Sequence, residues 1–501
     1  MLLPAFQSSP GSGLHRFLAH HQTFARILRA LLPSFVADYL FPEHKPTWKL
    51  HSTSYLDGLR GIAAFIVFIC HFTENNFSYL TKSYGLNGED KTSSFVQLPY
   101  FRVIFSGRPM VHIFFVISGF ALSLKPLQAL HARNPEKCYT ALASSTFRRP
   151  FRLFGPCIVS TFIIMCLRQL GYIRKPEESW TLQFRHWRRA VHHQITWPWS
   201  WDKDLRPDYD VHLWTIPIEF AHSMLLFIVV LMLSRVRQGI RMAAVFGLIL
   251  YCMTCGKWAA FEFLSGMLLA EWHILRSACQ SDAQKTWENN APSSTSTSHL
   301  LKRTFQTLLL ATSLFIAGWP NRDADKTPGI RYFLSQTPRP FAPTVHPLAP
   351  QKFWFGLSAI AIVWCIGDID PLRKAFESPL AQYAGRISYA VYIVHGAVED
   401  LLKARLIGHP GRPAVGEIGS PGWKPAIAGT GVKGLVGVET AGQITVAWVI
   451  GLGVMGVWVV WAADVFWRGV DAPMVNFARK VEGVCLEEEG KQKREGSVLP
   501  A

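Results

Sequence analysis

Two ionisable residues are conspicuous for where they lie. In the run YLDGLRGIAAFIVFICHF, Arg60 and His71 are eleven residues apart within an otherwise apolar stretch. At 3.6 residues per turn this is close to three turns, so both side chains share one helix face, about 16 Å apart along the axis. Charged groups inside such a run are costly and point to function. A guanidinium offers phosphate a fixed fork of donors, and an imidazole can move protons near neutral pH. The pair suits an anionic-headed donor lying along the helix, with its head at Arg60 and its reactive end at His71. The plainer alternative is a snorkelling arginine and a hydrogen-bonded core histidine. Glu219, in the run WTIPIEF, is a third such group. An isolated carboxylate there costs on the order of several kcal/mol or takes up a proton. It would orient His71 or an arginine, or simply close a structural ion pair.

Other groupings carry less. Cys252-x-x-Cys255 lies in an apolar run without a second pair, which is poor for zinc or redox chemistry. His192-His193 sits among arginines and tryptophans and reads as an interfacial anchor. No metal or cofactor is expected. The nine cysteines follow no disulfide framework.

The elements that must position these groups are membrane helices. Of 501 residues 49% are apolar and only 17% charged, against roughly a quarter in soluble domains. The net charge of +17 comes as short basic clusters between apolar runs, the pattern of loops facing lipid headgroups, so nucleic acid is not an expected partner. The runs are 61–77, 103–124, 154–170, 214–233, 242–254, 258–274, 305–319, 353–369, 380–402 and 444–466. A spanning helix needs about 20 residues; the runs at 242–254 and 305–319 must borrow neighbours. The expected fold is an all-α polytopic bundle of about ten transmembrane helices. Residues 1–54 form an N-terminal segment whose 24–41 stretch reads as an amphipathic interfacial helix. The membrane domain is 55–468, and 469–501 is a charged, solvated tail. Stretches 277–304, 320–352 and 407–443 read as structureless loops. Basic clusters at Arg148/Arg149, Arg235/Arg237/Arg241 and Arg373/Lys374 place both termini in the cytosol. The membrane would be the endoplasmic reticulum or the plasma membrane.

DGLRGIAAFIVFICHF strongly resembles the first helix of the acyltransferase 3 family, integral-membrane O-acyltransferases with an Arg-x10-His pattern. Further matches follow in the family's order: FFVISGF (114–120), Arg149-x-x-Arg152, WTIPIEF (214–220) and ISYAVYIVH (387–395). The resemblance implies acyl transfer, usually from acyl-CoA, onto hydroxyls of sugars, lipids or small metabolites. It makes Arg60, Arg149 and Arg152 phosphate-facing groups and His71 the general base, with Glu219 supporting it. Ser118 and His395 would line the donor or substrate site, although packing serves either residue as well. Acyl-CoA is then a co-substrate and the bilayer the other partner. The alternative is a transporter or flippase of a small anionic or lipid-like substrate. The sequence lacks the paired Gly/Pro-interrupted helices that mark inverted-repeat carriers.

Overall fold

The computed structural model describes residues 31–40, 50–87, 92–287, 297–411 and 427–495. Its main helices are α1 (Ser34–Leu40), α2 (Ser54–Asn76), α3 (Gly107–His131), α4 (Pro135–Gln169), α5 (Trp180–Ala190), α6 (Thr215–Met232), α7 (Gln238–Thr254), α8 (Trp258–Trp287), α9 (Thr297–Ala317), α10 (Ala349–Asp368), α11 (Pro379–Leu406), α12 (Ala441–Phe466) and α13 (Ala472–Glu495). No strand occurs among the described residues, and the fold is an all-α membrane bundle.

Seven segments, on α2, α3, α4, α6, α9, α10 and continuous α12–α13, are long and apolar enough to cross a bilayer. Helix α7 is apolar but has 17 residues. The runs at 258–274 and 380–402 become α8 and α11, which are long enough but too polar to count on composition. The expected ten is therefore not reached by length and apolarity. The reason is that α8 and α11 turn polar groups inward. Glu262 of α8 is fully buried, with Oε1 2.6 Å from His112 Nδ1. Glu271 of α8 pairs with Arg241 and, at 2.7 Å, with His131. In α11, His395 and Glu399 are buried. Such charges persist in a bundle only when paired.

Glycines set the crossings that matter. A methyl on Gly61 would fall 2.3 Å from the Gly385 nitrogen, and one on Gly385 2.4 Å from the Asp57 carbonyl oxygen. Bare backbone thus brings α2 onto α11, the small-residue packing of membrane helices. The two run side by side in the same direction, with Arg60 beside Ser388 and Asn75 beside Glu399. Likewise a methyl on Gly119 would meet the Phe263 carbonyl oxygen at 2.1 Å, fixing α3 on α8.

The segments at the chain ends are described in part. Of the 24–41 stretch, residues 31–40 are described, and Ser34–Leu40 forms the short helix α1, starting just after Pro33; the expected helix beyond 31–40 lies outside the described residues. It is pinned to α12 and α11: Ser34 Oγ donates to Asp464 Oδ2 of α12 at 2.7 Å, and Phe35 meets Tyr383 of α11 edge-on at 5.5 Å. The segment read as a solvated tail begins instead with a π-turn (Trp467–Asp471) and then α13. This helix docks on α4 through Phe477 against Phe151 (5.9 Å) and Glu482 against Arg148 (3.2 Å). Of the loops, 277–287 and 297–304 extend α8 and α9, with 288–296 outside the described residues. The 320–352 stretch folds into short helical turns.

Candidate active site

One end of the α2–α11 pair opens into a cavity of about 450 Å³. Its walls come from α2, α3, α4, α6, α11 and the start of α13, and it holds Arg60, Arg149 and Arg152 together. Arg149, buried on α4, is gripped by α6: Nη2 donates to Glu219 Oε1 at 2.7 Å and Nε to Ser223 Oγ at 3.0 Å. Ser118 of α3 donates to the same Glu219 oxygen at 3.0 Å. Arg60 donates from Nε to Ser388 Oγ (3.1 Å) and from Nη2 to the Gly385 carbonyl (3.3 Å), with Asp57 Oδ1 at 3.0 Å. Arg152 lines the cavity without an ion-pair partner among the described residues. Arg386 lines the cavity too, and four guanidiniums against Glu219, Asp471 and the Asp57 beside Arg60 leave an excess of positive charge where apolar walls strengthen its field. Phosphate is the ligand such forks fit.

The other end of α2 carries imidazoles. His71 lies 4.2 Å from the His212 ring and stacks on His395 at 5.5 Å between centroids; His212 and His395 are 4.4 Å apart. Each ring has an oxygen opposite Nδ1: Asp210 Oδ1 for His212 (2.7 Å), the Val391 carbonyl for His395 (3.0 Å) and Glu74 Oε2 for His71 (3.5 Å). Tyr392 joins the two ends. It lines the cavity, and its hydroxyl meets Thr215 Oγ1 at 2.6 Å and donates to the His212 carbonyl.

The sequence-predicted residues thus separate into two groups. Arg60, Arg149, Arg152, Ser118 and Glu219 meet in the cavity, and His71 and His395 meet in the imidazole cluster. Glu219 serves an arginine rather than His71; the carboxylates near the histidines are Glu74 and Asp210. Ser118, read as packing at least as readily as binding, holds Glu219. Sequence reasoning missed His212 and Asp210, Tyr389 and Tyr392, and Ser388. The available signal was Asp210-x-His212 directly before WTIPIEF, where Asp210 caps the turn by accepting from the His212 backbone. A second signal was the i, i+4, i+7 stripe Ser388, Tyr392, His395 on one face of α11.

The family model described as an acyltransferase domain, acyltransferase 3, matches residues 53–465. The chain is 32% identical over 396 residues to the O-acetyltransferase PaAT-1 of Phomopsis amygdali, covering 72% of this chain and 75% of that protein. It is 23% identical to acyltransferase clz18 of Cochliobolus lunatus, over 71% of this chain and 83% of the relative. Acyltransferase R4 of a Phoma species is 24% identical over 70% and 84%. No solved structure matches the chain.

Proposed function

The chain belongs to the acyltransferase 3 family of membrane acyltransferases, and from that premise we propose that it moves an acyl group from acyl-CoA to a hydroxyl of a sugar, lipid or small metabolite. The observation that carries this reading is the division of chemistry along α2 and α11, with guanidiniums in a cavity at one end and imidazoles at the other. Arg60 and His71 are separated by about 16 Å of helix. Acyl-CoA has the same division, with phosphates at its head and the thioester at the end of a long uncharged arm. Arg60, Arg149 and Arg152 hold the phosphates; Glu219 and Ser118 keep Arg149 aimed. The acceptor hydroxyl gives up its proton at the imidazole cluster, where His71 is the proton-accepting residue. The oxygen attacks the thioester carbonyl, a C–O bond forms, the C–S bond breaks, and the departing thiolate takes up the proton. General-base help of this kind contributes about 10²–10⁴-fold.

The name of the Phomopsis amygdali relative, an O-acetyltransferase, supports acetyl as the acyl group and oxygen as its acceptor. The start of α13 walls the cavity; a cytosolic cavity agrees with the expected cytosolic termini and with a cytosolic acyl-CoA supply. The membrane is that of the endoplasmic reticulum or the cell surface. The test is to incubate the purified chain with acetyl-CoA and extracts of cells lacking its gene, and to look for products heavier by one acetyl group. Products that form equally without the chain, or only without acetyl-CoA, would overturn the reading.

A further inference from the structure

The three histidines at the far end of α2 have a feature that a lone general base does not need. All three Nδ1 atoms are turned to oxygen: His212 to Asp210, His395 to Val391, His71 to Glu74. An acceptor opposite Nδ1 fixes the ring hydrogen there and leaves the lone pair on Nε2. One ring nitrogen of each histidine lies within 4.8 Å of one on each of the others. His395 is 0% exposed, and its Nε2 is buried without a hydrogen-bond partner among the described residues. Space for this meeting is built in: a methyl on Gly396 would fall 2.6 Å from His212 Nδ1. A cation among the three rings would take up the lone pairs that the Nδ1 contacts leave free.

We propose that His71, His212 and His395 bind a divalent transition metal of the zinc class through their Nε2 atoms, with the fourth position open to the acyl acceptor. Three imidazoles and an open position are the ligand pattern of catalytic zinc. Imidazole without carboxylate oxygens or thiolates in the set disfavours magnesium and calcium. The oxygen behind each Nδ1 is the outer support that metal-bound histidines have. Zinc–nitrogen bonds of about 2.0–2.1 Å place tetrahedral ligand nitrogens roughly 3.3 Å apart, so small side-chain rotations close the cluster on the ion. This inference rests on the acyl-transfer reading for its chemistry. A hydroxyl held by the ion ionises near neutral pH, its proton passing to solvent, so the ion acting as a Lewis acid replaces the base that an unliganded His71 would be. The bonds made and broken at carbon stay the same: the C–O bond forms, the C–S bond breaks, and the departing thiolate takes up a proton from solvent.

The test uses the full chain purified in detergent without chelator. Elemental analysis should find about one zinc per chain. Cobalt exchanged into the site should show the intense visible bands of a tetrahedral ion. His212→Ala and His395→Ala should remove both signals. Asp210→Asn, which leaves all three ligands in place, should weaken zinc binding about 10- to 100-fold. A folded chain that contains no zinc, takes up no cobalt and transfers acyl groups at full rate overturns the metal; the cluster then shares a proton. A chain that binds zinc through these residues yet shows no acyl transfer with any donor instead overturns the acyl-transfer reading and leaves the ion standing.

Discussion

Replacing Arg60 by lysine separates donor binding from chemistry. Arg60 commits Nε to Ser388 and Nη2 to Gly385 and Asp57. A guanidinium has five N–H donors, so the Nη1 pair remains for a phosphate. Lysine has three donors on a single nitrogen. It cannot keep the contacts to α11 and also present a planar fork to the donor. Losing one charge-assisted hydrogen bond costs about 1.5–3 kcal/mol, or roughly 10- to 150-fold in donor affinity at 1.4 kcal/mol per decade. Initial rates against acyl-CoA, at saturating acceptor, should therefore show a raised donor KM with kcat largely kept, and excess donor should recover much of the rate. Ser388→Ala, which removes only one of the three bonds holding Arg60, should shift KM in the same direction by less. Thermal melts of both variants show whether the α2–α11 contact itself has loosened. If kcat falls while the donor KM stays put, Arg60 acts on the transition state. The picture of a donor stretched along α2 is then wrong.

Three further outcomes are expected. His71→Ala should reach the membrane normally and lose at least about 10²-fold in kcat, with the donor KM retained; near-normal turnover of the purified variant would remove His71 from the chemistry. Gly61→Ala should destabilise the protein by about 1–3 kcal/mol through overpacking against Gly385, read as a lower melting temperature in detergent, and an unchanged melt would contradict the close α2–α11 contact. Tags after Ala501 and within 288–296 should be cytosolic while one within 412–426 should be on the opposite side; protease protection that groups 412–426 with the C-terminus would contradict the membrane orientation.

What could be read from the sequence followed helical period and apolar run length. The α2 helix and the common face of Arg60 and His71 needed nothing beyond 3.6 residues per turn, because both residues belong to one element. The partners of His71 come from a turn before α6 and from the middle of α11. No local pattern states which face of α11 meets α2; Gly61 and Gly385 decide it in three dimensions. Glu219 shows the same limit: its composition and burial announce a partner, but only the packing of α4 against α6 selects Arg149. The two helices that miss the apolarity of a span, α8 and α11, do so because Glu262, Glu271, His395 and Glu399 face the interior, where averaging over a window cannot see direction. The tail misled for a related reason. Its composition is that of a solvated segment, but the helix docks on α4 through Phe477 and the Glu482–Arg148 pair.

The docked tail gives the enzyme two unequal boundaries. The matched family domain ends at residue 465, but Trp467, Asp471, Ala472, Val475 and Asn476 still wall the cavity. A chain trimmed where the shared domain ends would be missing one wall of the cavity. Exchanging tails between relatives would carry that wall across as a cassette and leave the distant imidazoles as they were. Under the proposed division of donor and acceptor, variation can act on the two substrates separately, with the donor end tuned by a short terminal segment and the acceptor end by the body of the bundle.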